Sequence, residues 1–217
     1  MIALRWLSDN AGVMAEYFLA HVWLSVLPLL LGLVLALPLG WAAHHFGFLY
    51  RPLVAGSALL YTLPSLALFV LLPQVLGTRM LDPVNIVCAL TVYTVALLVR
   101  VVADGLAAVP EDTVRAADAM GYTAVQRWAA VELPVAVPVI AAGLRVASVS
   151  NVSLVSLGAL LGIPQLGSLF TLGFQLGYLL PIAAGIVLCL LLAWLLDGLI
   201  LAAARLLTPW KRAETPA

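Results

Sequence analysis

The sequence predicts an all-α polytopic membrane protein with five transmembrane helices. Composition and the placement of charge both predict it. Of 217 residues, 65% are hydrophobic and 9% charged, against about 45–50% apolar and 25% charged in soluble domains. Residues 17–50, 52–78, 83–99 and 146–196 contain no Asp, Glu, Lys or Arg. These runs are evenly apolar rather than alternating, so they read as helices, not as strands of a closed barrel. A helix crosses the hydrocarbon core in roughly 20 residues, which places spans at about 20–43, 52–73, 84–103, 133–156 and 178–204.

The first span begins in an apolar run too long for the core of a cleavable secretory signal, and Asp9 and Glu16 precede it, so no signal peptide is expected. The second span contains Pro64, which removes a helical hydrogen bond and predicts a bend. Thr62 and Ser65 beside it are placed to satisfy the freed groups. The bend either shapes or gates a pathway, or is a packing kink. The third span leads into the longest charged interruption, residues 99–132.

Within that interruption Pro110, Glu111 and Asp112 suit a helix start, proline in the first turn and acids at the positive end. A short helix over 111–120 follows, ended by Gly121, and a second over 123–130. Two short Ala-rich helices at a membrane surface form either a knob for another protein to grip or a plain linker.

The fourth span holds the sharpest intramembrane oddity, Arg145, at ~1.5 Å per residue roughly 16 Å past Pro134. Ser148, Asn151, Ser153 and Ser156 make this the most polar span and the best pathway-lining candidate. Interhelical hydrogen bonding and snorkelling of Arg145 are the rival readings. After it, Gly158, Gly162, Pro164, Gly167, Gly173, Gly177 and Pro181 break the apolar run. A partly re-entrant or extracytoplasmic segment is expected there, with a sixth span at about 155–173 as the alternative. The fifth span carries Asp197, expected in a structural ion pair or at headgroup level.

Arginine and lysine set orientation. Arg51, Arg100, Arg115, Arg127, Arg205, Lys211 and Arg212 fall on one side, and Arg5 and Arg79 on the other. The first side is therefore cytoplasmic, with the C-terminus, and the N-terminus is outside. Equal numbers of basic and acidic residues give no reason to expect a nucleic-acid partner. Cys88 and Cys189 read as small apolar residues, and His21, His44 and His45 pair with no acid as metal ligands. No P-loop, dinucleotide fingerprint or nucleophile elbow is present, so the chain does not read as an enzyme.

The spacing inside the interruption resembles a known signature. Arg115-Ala116-Ala117, three residues, Gly121, nine residues and Val131-Glu132-Leu133-Pro134 match the EAA loop of ABC importer permeases, with Arg115 in place of the usual Glu. Tyr61-Thr62-Leu63-Pro64-Ser65-Leu66-Ala67-Leu68 and the stretch from Val131 to Arg145 resemble the glycine betaine, carnitine and choline branch. Tyr61 replaces its usual Gln, and Val101 and Val102 its polar pair. The match covers roughly 17–200.

The resemblance implies a single transmembrane permease domain over 1–217, of the type I ABC importer fold, with a cytoplasmic coupling loop at about 108–132. It implies import of an osmoprotectant such as glycine betaine, choline, carnitine or proline, with another small solute or a non-transporting assembly role as alternatives. By resemblance Arg115, Ala116, Ala117, Gly121, Leu133 and Pro134 couple to the ATPase. Pathway or gating candidates are Pro64, Ser65, Arg145, Ser148, Asn151, Tyr61 and Tyr93. Phe69 and Phe170 are further aromatic candidates for a quaternary ammonium. The expected partners are ATPase subunits holding ATP and Mg, a second permease (identical or homologous), an extracytoplasmic binding protein and lipid. No cofactor or metal is expected on this chain, and its expected home is a prokaryotic plasma or inner membrane.

Overall fold

Proline breaks one apolar run and not another: Pro28 and Pro38 lie inside the longest helix, whereas the second apolar run is broken at Pro64. The structure is a computed structural model; it describes residues 2–212 and the side chains of residues 5–210. Lys211 and Arg212, counted above for orientation, have side chains outside the described residues. The order is α1 (Ile2–Asp9), α2 (Ala11–His45), α3 (Gly47–Thr62), α4 (Ser65–Leu76), α5 (Pro83–Ala107), α6 (Glu111–Ala119), α7 (Ala124–Arg127), α8 (Leu133–Val155), α9 (Gly167–Leu176) and α10 (Leu179–Leu207). A π-turn, Trp128–Glu132, joins α7 to α8, and 3₁₀ turns follow at Ser156–Leu161 and Pro209–Arg212.

Among the described residues, four helical stretches are long and apolar enough to cross a membrane: Ala11–His45, Pro83–Ala107, Ala124–Leu161 and Leu179–Leu207. The second predicted span is different. It is two helices bent by 102°, not one helix over 52–73. Leu63 and Pro64 at the break are extended (ψ 137° and 124°), because the proline ring excludes its predecessor from the helical region. Counting that pair as one span gives five. The stretch at 155–173 is a 3₁₀ turn followed by the start of the ten-residue α9, too short for a sixth. The first span also runs further than expected, over 35 residues.

α5 is the central post, with α2, α3 and α8 packed around it and α10 against α8. The seam between α2 and α5 is lined by small residues one turn apart, Gly32, Ala36 and Gly40. A Cβ on Gly32 would stand 2.4 Å from the Cβ of Thr94, and one on Gly40 2.5 Å from that of Val102. Such residues let backbones approach where lipid supplies no hydrophobic drive. Leu29, Ala36, Leu98, Val99 and Ala147 fill the centre of the bundle.

The two ends are separately tied. At one end the Tyr50 hydroxyl donates to Asp104 Oδ1 (2.8 Å), joining the start of α3 to the end of α5, and Trp41 lies 6.3 Å from Trp128. At the other, Trp6 packs edge-on to Tyr178, and Asn85 Nδ2 donates to the carbonyl of Arg79. Arg51, Arg100, Arg115, Arg127 and Arg205 thus sit toward one end, and Arg5 and Arg79 toward the other.

Candidate functional site: a surface knob and an intramembrane groove

The knob at the basic end is built from α6, α7 and the π-turn. Glu111 and Asp112 occupy the first turn of α6. Gly121 ends it at φ +83°, a left-handed conformation that a Cβ disfavours. Its amide donates to Asp118 O, and the Tyr122 amide to Ala117 O. Thr123 then starts α7 with a capping box, its hydroxyl accepting from the Gln126 amide while Gln126 Oε1 accepts from the Thr123 amide. The second short helix is briefer than the predicted 123–130. After Arg127 the backbone passes through the π-turn directly into α8, the Leu133 amide donating to Trp128 O.

Arg127 braces this corner. Its Nη1 donates to Asp118 Oδ1 (2.5 Å) at the end of α6, and its Nε to Glu132 Oε1 (2.6 Å) at the foot of α8. Glu132 is 5% exposed, and Arg127 is its ion-pair partner there. Ala117 is buried beneath the knob, Leu133 packs into the core, and Ala116 and Gly121 are exposed. Arg115 pairs with Glu111 at 2.8 Å on the open surface, one turn apart along α6. Sequence reasoning missed the apolar crown: Met120, Tyr122 and Val125 are 68%, 38% and 65% exposed. Their signal was there, three large apolar residues in a segment too polar to be a span.

The remaining candidates lie in the membrane. At the α3–α4 break, Tyr61 and Tyr93 meet edge to face at 5.8 Å. Tyr93 is buried, and its hydroxyl donates to the carbonyl of Leu63 at the break. The carbonyl that Pro64 frees one turn back, that of Leu60, accepts from the Leu63 amide, and Thr62, expected to satisfy a freed group, donates to Leu59 O instead. Pro64 and Tyr61 are exposed, and Ser65 half-buried. Phe69 is wholly buried in the bundle core and Phe170 half-buried.

The polar residues of α8 divide by face. Ser148 and Asn151 point into the protomer, and Asn151 Nδ2 donates to Thr94 Oγ1 (3.1 Å) on α5. Ala142, Val146, Val149 and Ser153, spaced by a turn, form an exposed stripe. Beside it Arg145 makes a two-point ion pair with Asp197 of α10, Nε to Oδ1 at 2.5 Å and Nη2 to Oδ2 at 2.8 Å. The ion pair expected for Asp197 therefore has its partner 52 positions away, which sequence spacing does not reveal.

A buried latch lies toward the opposite end. His21 Nε2 donates to Val152 O (3.0 Å), and its Nδ1 lies 2.9 Å from Gln165 Oε1. Gln165 in turn accepts from the Gly167 amide and donates to Ser156 O. The latch joins α2, the end of α8 and the turn before α9.

Comparisons with known proteins agree with this architecture. Residues 29–212 match the family described as binding-protein-dependent transport system inner membrane component. The osmoprotectant import permease protein OsmW of Salmonella typhimurium is 31% identical over 211 residues, 96% of this chain and 98% of that one. The choline transport system permease protein OpuBB of Bacillus subtilis is 28% identical over 94% of this chain and 93% of its own. Among solved structures, the inward-facing MetNI methionine ABC transporter matches with a TM-score of 0.80 at 22% identity, covering 92% of this chain and 98% of that one. The fold is that of type I ABC importer permeases. The chain belongs to the family of binding-protein-dependent transport system inner membrane components.

Proposed function

We propose that the chain is the transmembrane subunit of an ATP-driven importer for osmoprotectants such as glycine betaine, choline, carnitine or proline. What carries the solute class is similarity along almost the whole chain to permeases named for osmoprotectants and choline. ATP and Mg bind a separate ATPase, and an extracytoplasmic protein delivers the solute. A second permease, identical or homologous, completes the pathway.

The basic end faces the cytoplasm. The knob with Ala116, Gly121, Met120 and Val125 docks on the ATPase. A push there reaches α8 through Arg127, because that side chain holds both Asp118 and Glu132. The π-turn at the foot of α8 is the point of give, as such turns often are at functional sites.

The α3–α4 break supports placing the second permease. Irregular backbone at membrane depth is tolerated only against protein or water. α3 nevertheless buries no residue within the protomer, and Leu59, Tyr61, Leu63 and Leu66 are exposed around the break. The partner permease and the pathway cover it, leaving Pro64, Ser65, Tyr61 and Tyr93 at a gate.

The test is uptake of labelled glycine betaine, choline, carnitine and proline by proteoliposomes holding the complete complex and its binding protein. ATP-dependent uptake of at least one is expected. Uptake of none, with an amino acid such as methionine carried instead, overturns the solute class and leaves the permease role.

A further inference from the structure

The Arg145–Asp197 pair lies deep in the membrane. At ~1.5 Å per residue, Asp197 is roughly 15 Å from the end of α10 and Arg145 roughly 18 Å from the start of α8. Both distances are near the middle of a ~30 Å hydrocarbon core. The side chains are nevertheless 41% and 30% exposed. Charges this accessible at this depth do not face lipid; they face water or protein. They open onto a concavity of about 370 Å³ lined also by Ala142, Val146, Val149 and Ser150. Its walls are small or β-branched, leaving the two charges and the Ser150 hydroxyl as the polar groups.

The chemistry of the pair selects its visitor. A singly charged solute that displaces one partner leaves the other uncompensated in a low-dielectric site. A zwitterion leaves neither: its carboxylate accepts from the Arg145 guanidinium, whose fork matches two oxygens, while its cationic end lies against Asp197. The exchange begins and ends with every charge paired, as a site that must release its solute requires.

Resting on the osmoprotectant reading, we propose that the α8–α10 groove faces the pathway and that Arg145 and Asp197 form its transient site for zwitterionic solutes, parting to receive a carboxylate and a cation and re-pairing behind them. The pair thereby sets preference between zwitterions and simple cations. Glycine betaine engages both residues; choline, which lacks a carboxylate, engages Asp197 and leaves Arg145 unpaired.

The experiment compares uptake of glycine betaine and choline by the complete reconstituted complex carrying Arg145→Gln or Asp197→Asn. Arg145→Gln is expected to lower betaine uptake about tenfold or more while choline is retained or rises, and Asp197→Asn to lower both. Equal loss of both solutes in Arg145→Gln overturns the proposal and makes the pair a structural brace. A wild-type complex that carries neither solute removes the osmoprotectant reading and this site with it, which keeps the two failures apart. Should Arg145→Gln not assemble, Ser150→Cys leaves the pair intact. A charged, water-soluble thiol reagent is expected to label it, more slowly with millimolar betaine. No labelling, or labelling that betaine does not slow, overturns the proposal.

Discussion

At the residue scale, close backbone approach leaves some positions no room for a Cβ. A Cβ on Gly167 would stand 2.2 Å from the carbonyl oxygen of Ser156, the same carbonyl that Gln165 holds in the latch with His21. Gly167→Ala must push the turn away from the end of α8, at a cost of about 1–3 kcal/mol typical of overpacking. The expected outcome is a lower thermal midpoint of the detergent-solubilised protein. An unchanged midpoint means that the turn is not packed as described.

Gly121 and the small residues of α6 were legible from spacing, because a turn and a helix each leave a local pattern. The His21–Gln165 latch and the Arg145–Asp197 pair were not: each joins residues 144 and 52 positions apart. A periodicity argument sees one helix at a time. It identified α8 as the polar helix but could not say which of its polar residues turn inward. Packing against α5 decides that, sending Asn151 to Thr94 and leaving Ser153 on the exposed face.

At the element scale, the instructive difference is how the two prolines act. Pro134 enters α8 at its second residue and the helical path from Ala124 to Leu161 continues through it. The preceding π-turn already widens the backbone there. Pro64 comes after a helix with no such accommodation, and the chain turns by 102°. From sequence Pro64 reads as a bend inside a span and Pro134 as the entry to one, and neither reading gives the angle.

The continuity of α7 with α8 makes Arg127 the decisive brace of the knob. Arg127→Gln leaves the nearly buried Glu132 without its charge partner and frees Asp118. Transport is expected to fall more steeply than ATPase activity in the assembled complex, with partial recovery in Arg127→Lys. Matched loss of both rates would show that the brace supports assembly, not transmission.

At the scale of the whole molecule, the balance of apolar runs and charge made the helix count and the segregation of basic residues readable, because lipid imposes those constraints directly. What the surroundings of the protomer impose was less legible. The α3–α4 elbow, the stripe on α8 and the crown at Met120, Tyr122 and Val125 are exposed in the protomer; the proposed function assigns them to a second permease, a solute and an ATPase.

The proposed coupling sends force from a separate ATPase through the knob at the basic end. Its most direct test is site-specific cross-linking from single cysteines in the complete complex, after replacement of Cys88 and Cys189. Val125→Cys is expected to cross-link to the ATPase subunit, with a yield that changes when ATP is added, and Ser168→Cys near the opposite end to give no ATPase adduct. An ATPase adduct from Ser168→Cys and none from Val125→Cys would contradict both the orientation and the coupling role of the knob.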